Sequence, residues 1–525
     1  MIKKNILPII FFLTLLLWCF ASAFPIQPDF DLWARLIAGM SVIENHTILK
    51  HDFYSYTTSN YWFDHEWGAS AFIYWFSKLN NLFGISKLET LSILKSSMMF
   101  LIFAITALCV WLRKLKNSTP FQILYFVIAA AAANFVFALT VRCHMFTFLF
   151  FAILLTILEA YRIYNKKLLL AIIPPLMLVW INTHGGCLSG YGILLLYIFG
   201  EYLNDKDIKP YIITLIVSLL AAFINPYGIG YVKFLFSAGV MQREFISEWC
   251  SPFANSNILY GLKFKIYAIF MTLIVFSSAI IEKFDVKKAD KTKIFLLFTT
   301  GYLAIAHTKL IPFFVITASV FLFDDVYKVL AKVKFLKVFT DAKNKFIYGI
   351  IILMALASLQ MGREMKYSTI DNSIYPFSAI EFIKANKIQG NLYIDMTYGS
   401  FCAYKLYPQN KIFMDGRYEE VYPIKLLETE QRFETQNEEN TNSVLNDYKT
   451  DLVILYKPIY EIKKPDFDSS LLTMDKIYED NYWLLFAKKD LNQKDFKIPT
   501  FDKNKIYESL FETSITPDLL KETQK

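Results

Sequence analysis

Apolar positions along this chain come in blocks of roughly 15 to 22 residues separated by short charged knots, a spacing set by bilayer thickness rather than by the one-sided stripe of a soluble helix. The pattern predicts crossing helices over residues 6–23, 89–112, 121–140, 145–161, 168–182, 186–203, 211–224, 265–281 and 346–361. Two further runs, 294–306 and 311–323, are short for a crossing at about 1.5 Å per residue. They read as a hairpin tipped by His307-Thr308-Lys309. Residues 67–83 contain Ser70, Ser77, Lys78, Asn80 and Asn81, and read as a helix lying on the outer membrane surface.

Charge orients these elements. Arg113/Lys114/Lys116, Arg162/Lys166/Lys167 and Lys283/Lys287/Lys288/Lys291/Lys293 fall on one side, which the positive-inside rule makes cytoplasmic. The N-terminus is then cytoplasmic unless the first helix is removed at Ala21-Ser22-Ala23, which resembles a signal-peptidase site. Pro174-Pro175 predict a kink within their helix.

Beyond Arg363 the long blocks stop. A helix is expected over 377–385 and short strands over 391–394, 412–414, 452–455 and 482–487, with Gly390 and Gly399 as turn signals. The expected architecture is a polytopic α-helical membrane protein of about eleven transmembrane helices plus an outer juxtamembrane helix, with a small C-terminal α/β domain outside. Its membrane domain spans residues 1–364 and its extracytoplasmic domain 365–525.

Composition sharpens this. An apolar share of 55% makes the bilayer the main solvent, so an integral protein of the plasma or inner membrane is expected. The net charge of +8 sits in the inter-helix knots, where it reports orientation, so nucleic acid is not expected as a partner. Six scattered cysteines have no metal-ligand spacing, which leaves a Cys143 to Cys187 bridge open.

Sorted by side, the ionisable residues collect on the outer face, and charge beside hydrocarbon is costly unless it lines a wet cleft or pairs. The first loop is densest, opening with Pro28-Asp29-Phe30-Asp31-Leu32-Trp33 and closing with Phe63-Asp64-His65-Glu66-Trp67. Carboxylates there suit deprotonation of an acceptor hydroxyl or electrostatic support of a transition state. A zinc helix is not read at His65-Glu66, because the second histidine four residues on is missing. Arg142, His144, His184 and Asn225 stand at outer helix ends, and Lys309 at the hairpin tip has the charge to hold a lipid phosphate. Asp415-Gly416-Arg417 follows a predicted strand as a turn that presents an acid and a base.

At these residues the chain resembles the GT-C superfamily of integral-membrane glycosyltransferases, near the protein-mannosyltransferase-like branch known as glycosyltransferase family 39. The resemblance rests on residues 28–33, on His65-Glu66-Trp67, on Arg142 and His184, on Asn225-Pro226-Tyr227-Gly228 and on Asp415-Gly416-Arg417. It implies a polyprenyl-phosphate sugar donor drawn from among the membrane lipids, and a glycan, lipid or protein acceptor outside. The first-loop acid of the family falls on Asp29 or Asp31, which Phe30 separates where the family pairs its acids. His65 and Glu66 then join the catalytic set, and Asp64, Arg142, His144, His184, Asn225, Lys309, Asp415 and Arg417 bind substrate. A divalent cation is compatible with this acid set. The alternative from another class is a lipid-linked glycan transporter or a non-catalytic scaffold of envelope assembly.

Overall fold

The computed structural model describes residues 2–23, 28–58, 60–113, 119–137, 141–241, 246–334 (without 255, 258, 282, 284 and 286), 337–340, 352, 356, 373–436, 443–491, 495–499 and 509–524. Among the described residues the chain is mostly helical, with several apolar helices and one small mixed sheet. Among the described residues, Lys87–Leu112, His144–Tyr164, Gly185–Leu203 and Leu262–Ile281 are long and apolar enough to cross a membrane. The pair Thr308–Phe321 and Phe323–Lys332, bent by 61°, brings the number to five. The shorter apolar helices Ile9–Ala23, Phe121–Asn134, Lys167–Ile181 and Lys209–Ala221 occupy other predicted blocks, and the block expected at 346–361 lies outside the described residues.

The chain divides into two compact units, Met1–Ile26 with Asn80–Ser368, and Gln27–Leu79 with Thr369–Lys525. In the first, Lys87–Leu112 opens on a capping box in which Ser86 and Glu89 satisfy each other's backbone N–H. The apolar stretch over 168–182 breaks at Ile172 into Lys167–Ala171 and Ile173–Ile181, because Pro174 and Pro175 have no N–H to bond back into the preceding turn. Lys291–Ala306 and Ile311–Phe321 form a packed hairpin joined through His307 and the turn Thr308–Leu310. Ile229–Val240 is an additional helix that the sequence pattern does not single out. Glu159, within a span, bonds Arg162 at 3.0 Å and the Tyr197 hydroxyl at 2.9 Å, and Arg162 also meets Glu201 at 3.0 Å and Asp290 at 2.9 Å. An acid at that depth is thus paired rather than extended to water. No disulfide joins Cys143 and Cys187.

The second unit joins the first loop to the C-terminal segment. Its sheet contains β1 (Gly390–Tyr393), β2 (Asn410–Ile412), β3 (Leu452–Tyr456), β4 (Met474–Glu479) and β5 (Trp483–Lys488), in the order β2-β1-β3-β5-β4. β1 runs parallel to β2 and β3, while β5 is antiparallel to β3 and β4. The first loop extends the β2 edge, since Ile412 N donates to Tyr54 O and Tyr56 N donates to Ile412 O, each at 3.0 Å. That pairing covers an edge that would otherwise expose unbonded backbone.

Within the same unit, Leu32–Asn45 packs against Trp67–Ser77, whose 11 residues are too few to cross a membrane. The crossing requires Gly39, because a Cβ there would lie 2.2 Å from the Ser70 carbonyl oxygen. Trp33 is fully buried against Tyr375, Phe401, Tyr404 and Phe511, so the start of the first loop is anchored by an aromatic core from the C-terminal segment.

Candidate functional site

Asp31 occupies the N-cap position of Leu32–Asn45, yet its side chain makes no capping bond. The turn before it is set by Asp29, whose Oδ1 accepts from Asp31 N at 3.0 Å. Asp29 is buried and Asp31 half-buried. Gly416 lies directly against Asp31, since a Cβ on it would stand 2.3 Å from Asp31 Oδ1. The two acidic motifs, nearly 400 positions apart in sequence, are therefore neighbours in one unit, and the glycine between Asp415 and Arg417 is what admits the Asp31 carboxylate.

One turn past Asp31, Arg35 is 5% exposed and gathers three carboxylates. It reaches Asp64 at 2.7 Å, Glu66 at 3.2 Å and Glu420 at 3.3 Å. His65 Nδ1 lies 3.0 Å from Glu420, which also accepts from Trp62 Nε1. Asp64-His65-Glu66 is thus folded around a single guanidinium, with Asp64 Oδ1 accepting Glu66 N at 2.9 Å to shape the turn. Burial pushes the Asp64 carboxyl up to about 6 against the opposing pull of Arg35, and neighbouring Glu420 adds to the rise. Burial also raises Glu420, but Arg35 and then His65 outweigh it and hold that carboxyl below its ordinary value.

Asp415 and Arg417 are fully buried. Arg417 Nε donates to Asp415 at 2.9 Å, and its Nη2 donates to Asp52 at 2.6 Å. Tyr54 and Tyr422 hydroxyls donate to Asp415 at 2.7 and 3.2 Å, while the guanidinium lies 4.0 Å from the Tyr54 ring centre and 4.4 Å from that of Trp62. Paired charges and cation–π stacking offset the desolvation of this ion pair. The pair ties the first loop, through Asp52, Tyr54 and Trp62, to the turn that presents Gly416.

In the other unit, Arg142 and Lys309 meet on Glu248, the lysine at 2.8 Å, with Lys309 Nζ 5.5 Å from the Trp249 ring centre. Burial raises the Glu248 carboxyl, but the Lys309 and Arg142 charges prevail and hold it well below the usual carboxylate range. The hairpin tip is fixed to the same segment by Thr308 N donating to Cys250 O at 3.0 Å, and His307 Nδ1 lies 2.6 Å from Trp249 O. His144 opens the helix His144–Tyr164 and is buried. His184 Nδ1 accepts Gly186 N at 2.8 Å and lies 2.8 Å from the Thr147 hydroxyl, on that helix's first turn. Asn225 locks its own turn, donating to Ala222 O at 2.9 Å and accepting Tyr227 N at 2.8 Å, before Gly228 at φ 60°.

The fold therefore brings Asp29, Asp31, Asp64, His65, Glu66, Asp415 and Arg417 into one unit and Arg142, His144, His184, Asn225 and Lys309 into the other. Arg35, Glu420, Glu248 and Asp52 are partners that motif reading does not rank. Arg35 has one available signal, its place four residues after Asp31 on the same helix face.

No family model and no curated protein matches the chain in sequence. Solved structures do match. The oligosaccharyltransferase AglB of Archaeoglobus fulgidus, in complex with an inhibitory peptide and a dolichol-phosphate, is 12% identical, with 90% of this chain and 71% of that one covered and a TM-score of 0.56. The same enzyme tethered to an acceptor peptide matches at 11% identity, 94% and 75% coverage and a TM-score of 0.54. ArnT of Cupriavidus metallidurans, bound to undecaprenyl phosphate, matches at 12% identity over 93% of this chain and 99% of that one, with a TM-score of 0.46. The chain has the fold of the GT-C membrane glycosyltransferases.

Proposed function

We propose that this protein is a membrane glycosyltransferase that moves a sugar from a polyprenyl-phosphate donor to an acceptor on the extracytoplasmic side. The observation that supports this best is the Asp29/Asp31 turn at the head of Leu32–Asn45, held against Gly416 in a chain of GT-C fold. Asp31, with a side chain that spends nothing on capping, is the proposed base for the acceptor hydroxyl, and Asp29 fixes its turn. The acceptor oxygen bonds to the anomeric carbon, the carbon–oxygen bond to phosphate breaks, and polyprenyl phosphate leaves with the electron pair. His65, Glu66 and Asp64, gathered on Arg35, shape the acceptor side. Asp415 and Arg417 are positioning residues.

Arg142 and Lys309 are proposed to bind the donor phosphate, which would take over the counter-charge that Glu248 supplies. His144 and His184, joined through the first turn of one helix, and Asn225 shape the neighbouring helix ends. Dolichol-phosphate on the archaeal oligosaccharyltransferase supports a lipid-phosphate donor of this class. The test is to incubate the purified protein with a panel of labelled polyprenyl-phosphate sugars. Transfer or release of sugar is expected, and movement of intact donor across the bilayer without cleavage would favour a transporter.

A further inference from the structure

Away from these acids, the second unit holds a cavity of about 80 Å³ at the carboxyl ends of the two parallel strands β1 and β3, lined by Asp395, Tyr398, Glu434, Tyr456 and Trp483 among others. The chain leaves β1 through Met396–Leu406 toward β2 on one side, while β3 lies on the other. That is the switch point at which open α/β sheets bind ligands.

Three carboxylates, Asp395, Glu430 and Glu434, meet there, each offering an oxygen within 4.8 Å of the other two. Glu430 and Glu434 are one turn apart on Ile424–Thr435, so like charges are stacked on one helix face. Part of this charge has a structural use: Asp395 Oδ1 accepts Thr397 N at 2.6 Å and Glu430 Oε1 accepts Met396 N at 3.1 Å, both at the start of Met396–Leu406. The Asp395 side chain also bonds that of Glu434, a contact that a bound cation would replace.

An independent observation comes from Tyr393, at the end of β1. Its hydroxyl is buried, with no hydrogen-bond partner among the described residues. Its ring packs at 4.6 Å against Phe433, on the turn between the two glutamates, and the largest charges acting on the hydroxyl are Glu434, Glu430 and Asp395 in that order. This buried, unbonded hydroxyl belongs to a ring packed on the helix turn that carries both glutamates, and crowded carboxylates beside a hydroxyl short of a partner suit a cation and its water.

We infer that Asp395, Glu430 and Glu434 form a binding site for a hard divalent cation of the calcium or magnesium class, closing the mouth of the β1/β3 crevice and separate from the first-loop acids. Oxygen-only donors select such ions over zinc or copper. The centre of a triangle with sides of at most 4.8 Å lies within about 2.8 Å of each corner, so a small closure reaches the calcium–oxygen distance of about 2.3–2.6 Å. A water on the bound cation is the partner we assign to the Tyr393 hydroxyl.

The test uses the full chain in detergent, stripped of metal and titrated with terbium, a luminescent probe for hard oxygen sites that the adjacent Trp483, Tyr398 and Tyr456 can sensitise. Saturable luminescence, displaced by calcium or magnesium, is expected. It should weaken tenfold or more in Glu430→Gln/Glu434→Gln and persist in Asp31→Asn, which separates this site from the first loop. The order of displacement by the two ions assigns the class. Because the double variant removes two charges from one helix, its circular dichroism is recorded, and Tyr393→Phe serves as a second, milder variant expected to weaken binding with the fold intact. Equal terbium binding by wild type and the glutamine variant, or none by wild type, would overturn the inference.

Discussion

Replacing Arg35 by methionine keeps much of the side-chain length and removes the charge that Asp64, Glu66 and Glu420 share. Arg35 and Asp64 are 5% and 1% exposed and Glu420 is 4% exposed, so water cannot replace the guanidinium. Breaking a buried pair by removing one partner costs about 3–5 kcal/mol. For a unit of this size that corresponds to roughly 2–4 °C per kcal/mol, or a fall in unfolding temperature on the order of 6–20 °C.

The pH dependence makes the test specific. Asp64 has a folded value of about 6 against 3.8 unfolded, so its contribution is fully present below 3.8 and is lost as pH rises through about 6. Arg35 is what opposes that rise, and its loss pushes Asp64 and Glu420 upward together. The variant should therefore lose more at pH 8, where the acids must ionise unpaired, than at pH 5, where they can hold protons. Thermal unfolding of the detergent-solubilised protein at both pH values reads this directly, and Arg35→Met/Glu420→Gln should recover part of the loss at pH 8. Equal deficits at pH 5 and pH 8, or no deficit, would refute the reading of Arg35 as the shared counter-ion.

Three further outcomes are expected. Asp31→Asn should lower transfer by about 10²-fold or more in a transfer assay, and Asp29→Asn run beside it shows which acid is primary. Lys309→Ala should raise the KM for the lipid donor by about 10- to 100-fold, the worth of a charge-assisted hydrogen bond, while the acceptor KM stays constant. Gly416→Ala places a methyl 2.3 Å from Asp31 Oδ1 and should cut kcat while leaving donor binding intact, which steady-state kinetics separates.

The helical blocks were legible because bilayer thickness imposes a length that single-residue detail cannot hide, and the break at Ile172 followed from two adjacent prolines. β3 and β5 announced themselves through continuous apolar runs and β1 through the Gly390 turn signal ahead of Leu392-Tyr393-Ile394, whereas β4, at the sheet edge with exposed Lys476 and Glu479, has little apolar pattern to read. The acids of the first loop were visible as a motif. Their partners were not, because the meaning of Glu420 or Asp52 arises only when Leu32–Asn45, the β2 edge and the turn after it are brought together. Asp415-Gly416-Arg417 shows the limit most clearly: the sequence reads as an exposed turn, but the fold buries both charges and leaves the glycine as the contact that meets Asp31.

In the proposed reaction the Asp29 and Asp31 carboxylates act on a lipid-linked sugar. The most direct test of this is to reconstitute the protein in liposomes with a radiolabelled polyprenyl-phosphate sugar and follow cleavage of the sugar–phosphate bond. Cleavage by the wild type and its loss in Asp29→Asn/Asp31→Asn is the predicted result, and intact donor with the wild type across the whole sugar panel, or equal cleavage by the double variant, would contradict it.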